Sequence, residues 1–203
     1  MATKRNNEAV YKLVITAIFI ALTAFLQLFA SSITLGTVSF SIVLIPIVLC
    51  GMLAGPLGGT LCGLTFGIIT MIGGITGGDL FTATLMQSGT KGFIITTLIC
   101  LVKGTAAGLV SSLFYKAVKN KNNFAAVVCA SAAAPIVNTG LFILGALTLS
   151  DILSATFVQE GSTVIYFLVI GCAGINFVIE FLVNIIFAPA VYQLIKAVGK
   201  GKI

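Results

Sequence analysis

The chain has 203 residues, 59% hydrophobic and 8% charged, with a formal net charge of +6. Soluble domains carry roughly a quarter charged residues, so this composition excludes an ordinary soluble fold and points to one polytopic membrane domain. The basic residues fall in short clusters between apolar runs, a membrane-orientation pattern, which sets nucleic acid aside as a partner.

The N-terminus "MATKRNNEAVYK" is basic and leads into the first apolar run, residues 12–30. It lacks a small-residue cleavage site and reads as a retained first helix rather than a signal peptide. Ala17, Ala21 and Ala24 form a stripe of small residues on that helix. Such a stripe lets another helix approach closely, from within the chain or from another protein.

The next run covers residues 40–74, too long for one span of about 20 residues. It contains "AGPLGG". Proline suits a first helical turn, so the run divides at Gly55–Pro56 into helices at about 40–54 and 57–73. Gly51, Gly55, Gly59, Gly63 and Gly67 recur every fourth residue, and Gly104 and Gly108 repeat the spacing. This is the small-residue pattern by which membrane helices pack.

The segment "GGITGGDLFTATLMQSGTKG" follows, long and glycine-rich. It reads as an outer loop, either a lid over a site or a simple connection. Three more spans are predicted at about 93–116, 124–149 and 163–196.

Charge tests the count. With six spans and both termini inside, Lys4, Arg5, Lys12, Lys116, Lys119, Lys121, Lys196, Lys200 and Lys202 are cytoplasmic. Asp79, Asp151, Glu160 and Lys91 remain outside, in loops at about 31–39, 74–92 and 150–162. Five spans would split the basic clusters across the membrane, against the positive-inside rule. The fold class is therefore all-α, with six transmembrane helices and cytoplasmic termini, in one integral membrane domain over residues 1–203.

Ionisable groups inside a bilayer are costly and rare. Lys103 lies twelve residues before Tyr115, and Glu180 twelve before Tyr192. Tyrosine favours the interface, so at 1.5 Å per residue both sit about 18 Å above the inner interface. In "APIVNTG", Asn138 and Thr139 reach about the same level, roughly 21 Å from Phe124. Asn176, Glu180 and Asn184 are four apart on one face. Two readings stand. One is a buried Lys103–Glu180 ion pair that fixes packing. The other is a polar cavity open to the outside, in which Lys103 holds a substrate carboxylate or carbonyl and the asparagines add directional hydrogen bonds.

Enzyme signatures are missing. No histidine is present, which excludes H-E-x-x-H zinc proteases. There is no G-x-S-x-G elbow and no G-x-x-x-x-G-K-[ST] phosphate loop. Cys50, Cys62, Cys100, Cys129 and Cys172 form no C-x-x-C pair, so they read as small packing residues rather than metal ligands. No cofactor or metal is expected. A membrane binding protein or transporter subunit is what remains.

The residues resemble a known family at this point. The six-span plan, the stretch "VSFSIVLIPIVLCGMLAGPLGGTLCGLTFG", the Ala17-x-x-x-Ala21 motif, and the segments "LVKGTAAGLV" and "PIVNTG" are similar to the substrate-binding S components of energy-coupling factor (ECF) vitamin transporters. The resemblance implies a plasma-membrane protein that binds a vitamin or related micronutrient from outside. It implies a site toward the outer side formed by the last three helices and outer loops, which agrees with the polar level of Lys103, Asn138, Thr139, Asn176 and Glu180. It implies a coupling membrane subunit docked on the alanine face of the first helix, and two ABC ATPases that power uptake. Pantothenate leads among ligands, because Lys103 can pair with its carboxylate; riboflavin, folate, pyridoxine and hydroxymethylpyrimidine are the others considered. A stand-alone channel or carrier, and then an intramembrane enzyme, are the alternatives from other classes.

Overall fold

The computed structural model describes residues 2–30, 34–35, 38–39, 42–158 and 161–200. The predicted outer Glu160 and cytoplasmic Lys202 lie outside them. The chain runs α1 (Ala2–Ala30), a two-residue antiparallel pair β1 (Thr34–Leu35) and β2 (Val38–Ser39), α2 (Leu44–Ala54), α3 (Pro56–Thr76), α4 (Leu80–Gln87), α5 (Thr90–Val118), α6 (Asn123–Leu147), α7 (Ser150–Thr156), α8 (Val164–Tyr166), a π-helical stretch Phe167–Gly174, and α9 (Ile175–Lys200). The last three are continuous, and with α1, α3, α5 and α6 they make five helices long and apolar enough to cross a membrane. Their outward side chains suit lipid: Leu13, Ile175 and Ile186 are each about 70% exposed, which a bilayer tolerates and water does not.

The second predicted span is shorter than expected. Its helix starts at Leu44 rather than near residue 40 and has 11 residues, about 16 Å long. The chain before it is committed to the β1–β2 pair, which satisfies backbone groups by cross-strand bonds instead of helical ones. Eight of the eleven α2 residues are buried, from Leu44 to Ala54. A helix apolar all round belongs inside a protein, and α2 packs against α1, α3, α5, α6 and α9.

The turn after α2 is at the expected place. Gly55 has φ 92°, and Pro56 opens α3. Only glycine adopts that φ without strain. Gly55 therefore serves the turn, with nothing facing it, while the other small residues pack. Gly59, Gly63 and Gly67 face the backbone of α5 at Gly108, Gly104 and Cys100, and Gly104 and Gly108 return the contact. This seam fixes the height and rotation of α5, and so of Lys103.

The seam has a measurable consequence. A Cβ at Gly63 or Gly108 meets the carbonyl oxygen of the facing helix, so Gly63→Val or Gly108→Val should cost about 1–3 kcal/mol or more. Gly73 meets nothing within 4 Å in the same helix α3, and Gly73→Ala should be neutral or stabilising. Thermal melts of detergent-purified variants separate the two cases. Equal melting temperatures would remove the seam from the account.

Three apolar clusters form the core, the first two sharing α2. Val43, Ile47, Cys62 and Phe66 pack with α1 residues such as Phe19. Val48, Met52, Val127, Ala134 and Ala188 join α2, α6 and α9. Phe81, Leu85, Leu149, Leu153, Leu168 and Cys172 join α4, α6, α7 and the π stretch. The segment 74–92 is thus not a loop but carries α4. Asp79 caps that helix by accepting from the Thr82 N–H at 3.2 Å, and Phe81 and Leu85 anchor it. Segment 150–162 likewise carries α7, tied to α5 by an exposed Lys91–Asp151 ion pair of 3.6 Å. Four cysteines are buried as expected; Cys129 is on the surface instead.

The charge pattern sets the orientation, and labelling checks it. Ser154 and Lys119 are both exposed, on α7 and just after α5. In a background without native cysteines, Ser154→Cys should react with an impermeant thiol reagent on intact cells and Lys119→Cys only after lysis. The reverse pattern would invert the whole topology.

Candidate functional site

A cavity lies between the second and third clusters. Along α6 it sits between Ala134 below and Ala146 above, and along the last helix between Ala188 and Leu168. Its walls include Lys103 from α5, Asn138, Thr139 and Phe142 from α6, and Ala173, Asn176 and Glu180 from the last helix. The five polar residues singled out from the sequence therefore converge on one space. Asn138 and Glu180 are buried; Lys103, Thr139 and Asn176 are half-buried.

Lys103 occupies an aromatic seat. Its Nζ lies 5.3 Å from the Phe142 ring centroid and 5.7 Å from that of Phe66, within range of cation–π attraction. Such contacts hold an ammonium without neutralising it. The direct Lys103–Glu180 ion pair does not form: among the described residues Lys91–Asp151 is the ion pair within 4.0 Å. Lys103, Asn138 and Glu180 line the same cavity instead. Equal depth along two helices did not bring the two charged ends into contact; the ammonium lies against the rings of Phe66 and Phe142 instead.

Three polar residues of the cavity lie outside the set that the sequence singles out as site residues: Gln27, Thr70 and Asp79. Gln27 of α1 and Thr70 of α3 are both buried, and the Gln27 Nε2 donates to Thr70 Oγ1 at 3.2 Å. Thr70 in turn donates to the Phe66 carbonyl at 2.9 Å, on the residue whose ring holds Lys103. Asp79, the α4 cap, also lines the cavity. Lone polar residues in apolar spans were the available signal for Gln27 and Thr70. The "DLFT" capping pattern was the signal for Asp79.

Asn184, in line with Asn176 and Glu180, does a different job. Its Nδ2 donates to the Glu180 backbone carbonyl at 2.8 Å, so it is spent inside α9. The π stretch supplies Cys172 and Ala173 to the wall. Wider π turns are frequent at functional sites, and this one rotates Asn176 and Glu180 relative to the helix above.

Phe142 bridges the cavity and its roof. It touches Lys103 on one side and Phe81 of α4 at 5.7 Å on the other. Phe81 meets Phe157 at 5.2 Å, and Phe157 stacks on Phe167 at 5.6 Å and 14°. An aromatic cluster thus closes the cavity above its polar residues. The space open to water-sized spheres is about 60 Å³, room for a few waters at roughly 10–15 Å³ each.

The small-residue stripe faces mostly outward from the bundle. Ala17 and Ala21 are exposed, and Ala24 is half-buried, turned partly inward. Of the long helices α1 is the least buried. Ala17, Leu13 and Ile20 line a groove of about 680 Å³ whose other bank is Gly55, Pro56, Leu57, Gly58 and Leu61.

A polar cavity under an aromatic roof, inside a bundle of membrane helices, suits binding of a small polar solute. Comparison with known proteins agrees with that class. A family model for the substrate-specific component of ECF transporters matches residues 11–192. A comparison with curated proteins gives no match. The chain belongs to the substrate-specific components of energy-coupling factor transporters, multi-pass proteins of the plasma membrane.

Proposed function

We propose that this substrate-specific component, a single integral membrane binding domain, takes a carboxylate-bearing vitamin from outside, with pantothenate first among the candidates. Lys103 is the anchor for the carboxylate. The observation that carries this reading is the ammonium seated between Phe66 and Phe142 with no carboxylate of the described residues within 4.0 Å. A charge held by rings alone keeps its hydrogen-bond donors available. Asn138, Thr139, Asn176 and Glu180 supply the directional contacts.

The empty space is smaller than a vitamin, so entry requires the roof to move. The α4 and α7 segments are the parts built to do so: short helices, anchored by Phe81, Leu85 and Leu153, with the exposed Lys91–Asp151 pair between α7 and α5. An exposed pair contributes about 0–1 kcal/mol and is no barrier to opening.

Powered uptake comes from the coupling subunit and two ABC ATPases of the transporter, and docking of that subunit is assigned to the face of Ala17 and Ala21. Mass spectrometry of small molecules released from the detergent-purified protein tests the ligand. Pantothenate in stoichiometric amount is the expected result. A bound compound without a carboxylate would overturn the role of Lys103.

A further inference from the structure

The groove between α1 and the α2–α3 turn has a volume of about 680 Å³. Its banks are Leu13, 70% exposed, and Leu57, 73% exposed. The banks close together at Gly58, where a Cβ would stand 2.7 Å from Ala54 Cβ and 3.0 Å from Thr16 Oγ1. The Thr16 hydroxyl donates to the Lys12 carbonyl at 2.7 Å. Its donor is therefore spent inside α1, and the walls are apolar.

Lys12 is the charged residue of the groove. It is exposed, and no carboxylate of the described residues lies within 4.0 Å of it. Lys4 and Arg5 precede it on α1, against one acid, Glu8. By the charge pattern this is the cytoplasmic end of the helix. From Lys12 to Ile20 the groove follows α1 for eight residues, about 12 Å. Half of a hydrocarbon core of about 30 Å is longer than that, so the groove stays within the inner leaflet. The hydrocarbon region offers no water to fill an apolar groove.

We infer that in the uncomplexed component this groove holds an acyl chain of an anionic phospholipid of the inner leaflet, with the lipid phosphate on Lys12. The apolar walls take the chain, and the ammonium at the mouth selects the headgroup. A zwitterionic lipid also carries a phosphate, but its own cation competes with Lys12 for it. Ala17 lines the groove and belongs to the face assigned to the coupling subunit, so lipid and subunit exclude one another there. The inference is independent of the ligand cavity.

The test uses the absence of tryptophan from the chain: Leu57→Trp places a single fluorescent reporter in the groove. The purified full chain is reconstituted in phosphatidylcholine vesicles. Phosphatidylglycerol or phosphatidylcholine with brominated acyl chains is added in rising fraction, and quenching of the indole emission gives the relative affinity at that site. Phosphatidylglycerol should be preferred about fivefold. Ile186→Trp, at a position of α9 that is 70% exposed and outside the groove, should show a ratio near one. Lys12→Gln made together with Leu57→Trp should lower the groove ratio to the same value. Leu13→Trp, on the other bank, repeats the measurement if Leu57→Trp misfolds. Equal quenching by the two lipids at the groove overturns the inference. A preference of the same size at Ile186→Trp overturns it too, since that marks a general attraction to the basic inner surface, and so does a preference that survives Lys12→Gln. No quenching by either lipid means that protein, such as a second copy of the chain, covers the groove, and this also overturns it. Added coupling subunit should relieve the quenching at Leu57→Trp; quenching unchanged with the subunit bound overturns the exclusion.

Discussion

Lys103→Met lowers the affinity for a carboxylate ligand by about 2–5 kcal/mol, roughly 30-fold to several-thousand-fold, and Glu180→Gln made at the same time does not bring it back. Methionine keeps the length and the contact with Phe66 and Phe142, and sulfur packs well on aromatic edges. What it removes is the cationic donor. Two roles for the lysine make different predictions. A lysine present to compensate Glu180 would leave that carboxyl exposed to a strong penalty when lost, and neutralising both would then restore folding and binding together. The observed partners argue for the other role. Two rings already hold Lys103, and no carboxylate of the described residues lies within 4.0 Å of it. Titration calorimetry on the single and double variants, each checked for a monodisperse elution profile, decides. Normal affinity in the double variant would make Lys103 a structural partner only.

The sequence made the polar level readable because a bilayer leaves so little freedom. Lys103, Asn138, Thr139, Asn176 and Glu180 stood out against apolar helices, and two tyrosines gave the depth. Helix rise then placed them at one height, and the cavity brings them together. The charge clusters likewise sorted the long helices without reference to any fold. Depth, however, is one coordinate of three. The rotation and spacing of the helices come from the glycine seam between α3 and α5 and from the π stretch, and neither distance nor rotation is written in a periodic pattern. That is why Lys103 and Glu180 share a cavity but not an ion pair.

The same limit hid the outer cap. The segment 74–92 has turn residues at both ends and only eight helical residues between, too few for periodicity to separate helix from loop. Its helix exists because Asp79 caps it and because Phe81 and Leu85 find a third cluster to enter, a tertiary cause. Gln27 escaped notice for a related reason. Near the outer end of α1 a glutamine is ordinary at an interface; only the inward turn toward Thr70 makes it part of the site. The short α2 is the converse case, an apolar run whose start was set by the β1–β2 pair rather than by hydropathy.

Replacing Ala17 and Ala21 together by leucine abolishes ATP-driven uptake, to below about a tenth of the wild-type rate, and leaves ligand binding by the isolated component within about twofold. Small residues four apart let a partner helix approach to backbone contact, and branched side chains hold it off. Both alanines are exposed, whereas Ala24 is turned half inward and is left unchanged. The groove beside Ala17 runs to the Gly55–Pro56 turn, so added bulk at Ala17 fills space at the surface rather than in the core. Gln27, on the same helix, is buried against Thr70 in the cavity. The helix therefore touches the ligand level with one end and the proposed partner with the other, and a distorted α1 would disturb both. That makes the paired measurement decisive: uptake in cells with the coupling proteins present, and binding to the purified component alone. Loss of uptake with binding retained assigns the alanines to the partner interface. Loss of both means that leucine at these positions deforms α1 itself, and the docking face then has to be sought on another helix.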